Sequence, residues 1–484
     1  MRQQESILKN MVILCLVVLL LALFLWTAFQ GYAPQFGGGA MNYYSLLTRG
    51  FLSGHLYLPV KPSPKLLALA DPYNPLQNAP FRLHDASLYH GHWYLYFGVT
   101  PVLVFWLPLH LLGIEANYSM ATALFLWMGI CVQLLIIGTL TRQMGLRVKT
   151  WQWVVLITML GLNGSSLYFL RRTAIYEVAI SMGYLCVSLG VFFLAYYRTF
   201  PKVNYLLFGG LFLGLAVGAR PDDIFFVPVM VFASIYLIKI NNYQLDKKIR
   251  NMIFLWVPYI SVGIILALYN QMRFGSIFEL GTHYQLAGLN MHEVTTAHLS
   301  NIFPNLYFYL WCPVVENKIF PFFYAFPRYP WAYPQTYLYP EPVAGIFSLA
   351  PELFLLCLVP GFFKINTLST NRHMHESLQN LGAVAASSVL VLVLVCYILP
   401  SATMRYLWDF MPWFMLICGI LWIAIGQMEL PGLSKSKVKL IQAIFIFLVI
   451  YSSVLNMGIG MTGYYNLFER VNPVEYIKIA HWFE

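Results

Sequence analysis

Charge is what this sequence has least of. Asp, Glu, Lys and Arg make up 10% of its 484 residues, while 59% are hydrophobic. A soluble domain carries about a quarter charged residues, so there is too little polar surface here to coat a water-soluble globule. Paired cysteines are missing as well. Of seven cysteines, Cys15, Cys131, Cys186, Cys357, Cys396 and Cys418 sit inside apolar stretches, and Cys312 lies in an expected loop. No CxxC or Cys/His cluster occurs, which argues against a structural zinc site or a disulfide framework. Internal repeats and low-complexity tracts are absent too.

What is present is a series of runs approaching the roughly 20 apolar residues that cross a bilayer. They cover 10–29, 118–140, 151–169, 179–197, 204–219, 224–239, 252–270, 342–363, 379–399, 405–427 and 440–460. The fold class is therefore an all-α polytopic membrane protein with about eleven transmembrane helices. The first run, with Arg2 and Lys9 ahead of it and Gly-Tyr-Ala-Pro after it, reads as a retained helix rather than a cleaved signal. A net charge of +10 does not signal nucleic acid, because the basic residues lie in short loops between apolar runs.

Those loops set an orientation. Arg142, Arg147, Lys149, Arg198, Lys202, Lys239, Lys247, Lys248, Arg250, Lys364, Arg372, Lys435, Lys437 and Lys439 fall on one side of an alternating chain, together with Arg2 and Lys9. That side is expected to be cytoplasmic. The segments 30–117 and 271–341, and the C-terminus, then lie outside the cytoplasm, in a single transmembrane domain spanning 1–484. Gly98–Gly113 is apolar but short, with Pro101 and Pro108. If it crossed the membrane, the later basic loops would face the wrong side, so we read it as re-entrant or interfacial. The second loop is dense in aromatics and proline, either as an interfacial belt or as a platform for sugar or lipid.

Ionisable groups at membrane depth are costly and are functional candidates by default. Here they collect at the loop-bearing face. Asp71 lies in ADPYNP and Asp85 in LHDASLYHGHWYLYFG. A carboxylate among tyrosines and histidines suits a general base for a hydroxyl nucleophile, whereas Asp71-Pro72 is also a turn signal. Arg171 and Arg172, followed by Tyr176 and Glu177, can clamp a phosphate or anchor to lipid headgroups. In GARPDD, Arg220 precedes Asp222 and Asp223, a weak metal candidate that equally suits helix capping. RFGSIFELGTHYQLAG supplies Arg273, Glu279 and His283. In MRYLWDFMPW, Arg405 and Asp409 are one turn apart and can pair with each other, or Arg405 can face a phosphate.

Taken in order, NYYSLLTRGFLSGHLYLP, YHGHWYLYFGVTPVLVFWLPLHLLG, GLAVGARPDD and RYLWDFMP resemble the GT-C superfamily of polytopic membrane glycosyltransferases. The resemblance is to bacterial members with DPYNP followed by HDASLYHGHWYLYFG. It implies transfer of a sugar from a polyprenyl-phosphate donor to a glycan, lipid or protein acceptor at the extracytoplasmic face of a bacterial inner membrane. It also implies Asp85, with Asp71 as second choice, as base, and Arg171, Arg172, Arg220 and Arg405 at the donor phosphate. His55, Tyr89, His92, Trp93, Tyr94, Glu177 and His283 would line the substrate. No redox cofactor is implied, and a divalent metal is allowed but not required. One departure stands out: the superfamily usually places an acid just after the first span, and GYAPQFGGGAMNYY has none. Two competing readings are a lipid-linked glycan flippase, disfavoured by the apolar span centres, and a non-catalytic subunit that binds a lipid-linked sugar or a protein partner.

Overall fold

A bilayer-length apolar segment can satisfy its backbone polar groups only internally, and the longest apolar runs here are helices. The computed structural model describes residues 2–35, 37, 42–240, 243–358, 372–428 and 434–483. In chain order the main elements are α1 (Arg2–Ala28), α2 (Tyr43–Leu52), a hairpin of β1 (Ser87–Tyr89) and β2 (His92–Tyr94), α3 (Tyr118–Gln143), α4 (Thr150–Leu162), α5 (Ser166–Arg171) and α6 (Ile175–Thr199). They continue as α7 (Val203–Ala219), α8 (Val227–Lys239), α9 (Leu245–Phe274), α10 (Ile302–Leu310), a second small hairpin of β3 (Val315–Glu316) and β4 (Phe323–Tyr324), α11 (Arg372–Ile398), α12 (Met411–Gln427), α13 (Lys435–Thr462) and α14 (Pro473–Ala480).

The structure is mainly helical, with two small hairpins. Among the described residues seven helical stretches are long and apolar enough to cross a bilayer: Ile7–Ala28, Tyr118–Gln143, Ile175–Thr199, Pro221–Lys239, Leu245–Phe274, Glu376–Ile398 and Lys435–Val471. Shorter apolar helices cover Val102–Leu111, Thr150–Leu162, Val203–Ala219 and Met411–Gln427. Several of the eleven expected spans are therefore broken. The run 151–169 divides at Asn163–Ser165, where Ser165 takes φ 60 and the Asn163 amide turns inward to the Glu352 carboxylate at 2.6 Å. The run 342–363 becomes Ile346–Leu349 and a 3-10 turn, Pro351–Leu358, and 359–363 lie outside the described residues. The runs 224–239 and 405–427 begin with 3-10 segments, Pro221–Phe226 and Met404–Asp409. The segment 98–113 holds a five-residue π-helical turn, Val102–Trp106, and one α-turn, Leu107–Leu111. It is too short to span, as expected.

Two ends of the bundle differ in chemistry. At one end Lys9 reaches the Val148 carbonyl, Gln143 binds Thr199, Arg198 donates to the Glu376 carbonyl, and Arg147 pairs with Gln427 through their backbone and amide groups. The basic loops therefore meet, as alternation requires. The opposite end carries both elaborated loops. They interlock there: Asp85 N donates to the Leu286 carbonyl and Leu286 N to the Ala86 carbonyl, both at 3.0 Å. Arg273 is buried, donating to the Leu95 carbonyl at 2.6 Å and to Asn270 Oδ1 at 2.7 Å, which ties the end of α9 beneath the first hairpin.

α6 is the centre of the bundle, with 83% of its apolar window buried, whereas that of α9 is only 6% buried and presents Ile260, Ile264, Ile265 and Leu268 outward as a lipid-facing helix would. α7 packs against both. Close approach needs small residues. A Cβ on Gly98 would lie 2.2 Å from the Gly218 carbonyl oxygen, and this contact seats the first loop against the end of α7 just before Arg220. Cys312, expected in a loop apart from the core, is fully buried, with Sγ 3.6 Å from the Val343 carbonyl oxygen. Around it, the aromatics of the second loop pack largely on one another: Tyr333 and Tyr337 stack at 5.4 Å and Tyr329 and Tyr333 at 4.9 Å.

Candidate active site

Asp85 sits at the turn into β1 with φ 62, a left-handed conformation that Asp tolerates better than most residues but that still marks a constrained position. Its residue exposure is 6%. The carboxylate is held from three directions. The Tyr176 hydroxyl donates to Oδ2, the Gln285 amide donates to Oδ1 at 2.9 Å, and His84 Nε2 lies 3.4 Å from Oδ2. Gln285 belongs to the second loop, so both loops build this position. Tyr43, whose hydroxyl donates to the His84 carbonyl at 2.8 Å, has its phenol pushed up to about 12 by burial and by the Asp85 charge.

Tyr176 connects this carboxylate to a pair of arginines. Its ring lies 4.6 Å from the Arg405 guanidinium and 5.6 Å from that of Arg172. Both arginines converge on one carboxylate oxygen, Glu341 Oε2, with Arg405 Nη1 at 2.7 Å and Arg172 Nη1 at 3.7 Å. The longer distance is an ion-pair contact and too long for a hydrogen bond. Thr403 Oγ1 donates to the same oxygen at 2.7 Å. Burial raises the Glu341 carboxyl, but Arg405, Thr403, Arg172 and Tyr464 outweigh it and hold the group below the usual carboxylate range. Tyr464 also stacks under Arg172 at 4.2 Å. Arg172 Nη1 and Arg405 Nε are buried with no hydrogen-bond partner among the described residues. Buried donors without partners are uncommon and call for a bound species or a functional reason.

Other expected residues fall elsewhere. Arg171 is turned away from Arg172. It is 1% exposed, donates to the Gly460 and Thr27 carbonyls at 2.8 and 3.3 Å, and stacks on Phe468 at 3.7 Å. It ties α1, α5 and α13 together and presents no phosphate-binding face. α5 ends at Arg171, and Arg172 leaves the helix with φ −118 and ψ 86, so the two side chains diverge and only Arg172 reaches the cluster. The expected Arg405–Asp409 pairing is exchanged: Asp409 pairs with Arg220 at 2.7 Å, and Arg405 pairs with Glu341. A 3-10 rather than α-helical Met404–Asp409 places the two on different faces. Arg220 also contacts Asp222 at 3.2 Å and lies over the Tyr406 ring at 5.0 Å. Because Arg220 stands between Asp222 and Asp409, these acids face a cation already. Asp223 is buried separately against α6, where a Cβ on Gly183 would meet its Oδ2 at 2.3 Å. Among the described residues no group of three or more His, Cys, Asp or Glu converges as metal ligands do.

Asp71 makes the turn that Asp-Pro predicts, accepting from Tyr73 N at 2.9 Å, and its second oxygen holds Asn290 of the other loop at 3.3 Å. Glu177 caps α6, accepting from Ala174 N at 3.1 Å. Trp93 is 1% exposed, so its ring is core and offers no face to a sugar. Tyr94 is nearly as buried, against Phe274. His55, Tyr57 and His92 form a stack with 4.7 and 4.1 Å between successive rings, the two histidines exposed and Tyr57 half-buried between them. Tyr89 packs on Tyr284 at 4.5 Å, and His283 on His292 at 4.2 Å. These residues form an aromatic rim and make no contact with the arginine pair.

Glu341, Tyr464 and Gln285 were not anticipated. Glu341 had a signal: it is the acid in the aromatic, proline-rich YLYPEP. Gln285 and Tyr464 had none, because only the loop pairing and the turn after α13 bring them in.

The comparisons with known proteins add the following. No family model matches the chain, and no curated protein matches it. The chain is similar to ArnT from Cupriavidus metallidurans bound to undecaprenyl phosphate, with TM-score 0.41, 10% identity, and coverage of 94% of this chain and 76% of that one. It is also similar to the archaeal oligosaccharyltransferase AglB from Archaeoglobus fulgidus in complex with an inhibitory peptide and a dolichol-phosphate, with TM-score 0.42 and 11% identity. That second match covers 97% of this chain, which spans 59% of the AglB chain.

Proposed function

We propose that this protein is a membrane glycosyltransferase, moving a sugar from a polyprenyl-phosphate donor to an acceptor hydroxyl at the loop-bearing face, which the positive-inside rule places outside the cytoplasm. One observation carries the reading. A carboxylate (Asp85) and two under-bonded arginines (Arg172 and Arg405) are arranged around a single tyrosine, Tyr176.

That geometry suits direct displacement. Base and leaving-group phosphate must stand on opposite sides of the sugar carbon. Tyr176 stands between the two, bonded to the Asp85 carboxylate and lying against both guanidinium groups. Asp85 takes the proton of the acceptor hydroxyl. The acceptor oxygen bonds to the anomeric carbon, and the carbon–oxygen bond to phosphate breaks with its electron pair left on the phosphate. Arg172 and Arg405 stabilise that charge with donors already in place. Gln285 and Tyr176 orient the base. The exposed His55 and His92 rings, with half-buried Tyr57 between them, and Tyr89 offer stacking surface to the acceptor.

Radiolabelled lipid-linked sugar from cells with and without the protein identifies the donor. Transfer by the purified chain and its loss in Asp85→Asn then test the chemistry. Unaltered transfer in Asp85→Asn would remove this assignment.

A further inference from the structure

A polar cavity lies at the end of the bundle opposite Asp85, among the basic loops. Its volume is about 270 Å³, and Arg142, Gln143, Arg198, Thr199 and Glu376 line it. Three helices build it. Arg142 and Gln143 end α3, Arg198 and Thr199 end α6, and Glu376 lies near the start of α11. Gln143 ties them together: its Nε2 donates to the Ala195 carbonyl and to Thr199 Oγ1, each at 2.8 Å, and its Oε1 accepts from Ser377 Oγ at 3.2 Å. Arg198 is held by its Nη1 bond to the Glu376 carbonyl and by the Tyr236 ring of α8, 4.4 Å away. Its Nη2 is buried and has no hydrogen-bond partner among the described residues. Arg142 is exposed and forms no side-chain hydrogen bond or ion pair among the described residues. A helix dipole favours an arginine in the last turn, which accounts for one at each of these ends. It does not account for a cavity lined by both, or for a buried guanidinium nitrogen left without a partner.

We infer that this cavity binds phosphate, and that its occupant is the phosphodiester of an anionic phospholipid with a hydroxylated headgroup, such as phosphatidylglycerol. Guanidinium groups present N–H donors that match phosphate oxygens, and Arg142 and Arg198 Nη2 supply them here. Thr199 Oγ1 accepts from Gln143, which leaves the hydroxyl proton to donate. Glu376 lines the same cavity, and its charge reaches Arg198. A glycerol headgroup meets that carboxylate with hydroxyl donors while its phosphate takes the guanidinium groups. The loops after α3 and α6 carry Arg147, Lys149 and Lys202, so the surroundings favour a lipid of net negative charge over a zwitterion. α3 and α6 are long enough to cross a bilayer and both end here, which puts the cavity at the depth of lipid phosphates. That position favours a headgroup over a free phosphate. A headgroup bound there bridges α3, α6 and α11. The site is separate from the transfer chemistry proposed above and does not depend on it.

The test follows the melting temperature of the full-length protein in detergent, because a ligand bound to the folded state raises it. The probes are dioctanoyl phosphatidylglycerol, dioctanoyl phosphatidylcholine and inorganic phosphate. Phosphatidylglycerol should raise the melting temperature at concentrations where the other two do not. Arg142→Gln, at an exposed residue, should melt as wild type does without lipid. It should need about tenfold more phosphatidylglycerol, or more still, for the same rise, the scale of a lost hydrogen bond to a charged group. Arg198→Lys keeps the charge but loses the planar fork, and should weaken the effect as well. Phosphatidylglycerol protection that is unchanged in Arg142→Gln and in Arg198→Lys overturns the inference. Equal protection by phosphatidylcholine also overturns it, because the acyl tails would then account for the effect. Protection by inorganic phosphate equal to that by phosphatidylglycerol overturns the lipid assignment, and no protection by any probe overturns the site.

Discussion

Arg220 was expected at a donor phosphate, and the structure gives it a different job whose size can be worked out. Its Nη2 lies 2.7 Å from Asp409 Oδ2, and the Asp409 side chain is 3% exposed. The second partner, Asp222, is 27% exposed and can be rehydrated if Arg220 is lost. Asp409 cannot. Truncating one partner of a buried pair leaves an uncompensated charge and costs about 3–5 kcal/mol, whereas replacing both with apolar groups of similar size is often neutral. Arg220→Met is therefore expected to destabilise by ~3–5 kcal/mol, and Arg220→Met/Asp409→Leu by much less than the sum of the single changes. Unfolding in detergent, followed by tryptophan fluorescence against denaturant, gives the cycle. A coupling energy above about 2 kcal/mol supports a structural ion pair, while additivity within about 0.5 kcal/mol refutes it, since independent sites behave that way.

Three further outcomes follow from the geometry. Tyr176→Phe keeps the ring between the cations and removes the hydrogen bond to Asp85; hydrogen bonds to charged groups contribute about 1.5–3 kcal/mol, so transfer should slow by about 10- to 150-fold with donor binding retained, as measured by steady-state kinetics. Trp93→Ala should destabilise the fold by about 3–5 kcal/mol, the cost of emptying a buried aromatic site, and a variant of unchanged stability with weakened acceptor binding would return Trp93 to the substrate. The Glu341 carboxyl is depressed in the folded state, so its contribution to stability is fully present above its ordinary value of 4.5 and lost as pH falls through the depressed one. Wild type should therefore lose stability relative to Glu341→Gln below that pH in an acid titration monitored by melting temperature.

Much of the architecture is legible in the sequence because membrane residence is written in run lengths and in the placement of Lys and Arg. Ile175–Thr199 and Lys435–Thr462 appear close to where apolar content predicts. The breaks were harder. Asn163-Gly164-Ser165 is a turn signal inside an apolar run, and it is realised because the buried Glu352 and Ser453 side chains capture Asn163. No local pattern reports that contact. The site divides in the same way. Asp85 was findable as a rare carboxylate in the first long loop, and Arg172 as a rare charge at a span end. That Arg171 points into the core, and that Arg405 exchanges Asp409 for Glu341, depends on where α5 ends and on a loop more than sixty residues upstream of Arg405. Gln285 reaches Asp85 only because the two long loops pair.

The account stands on Asp85 as the group that takes the acceptor's proton. The most direct measurement compares wild type and Asp85→Asn for binding of the lipid-phosphate sugar and for its transfer, in the same nanodisc preparation. The account predicts comparable donor binding and melting temperature with transfer reduced by at least about a hundredfold, the usual scale of a lost general base. Asp85→Asn protein that is folded, binds donor and transfers at the wild-type rate would contradict it.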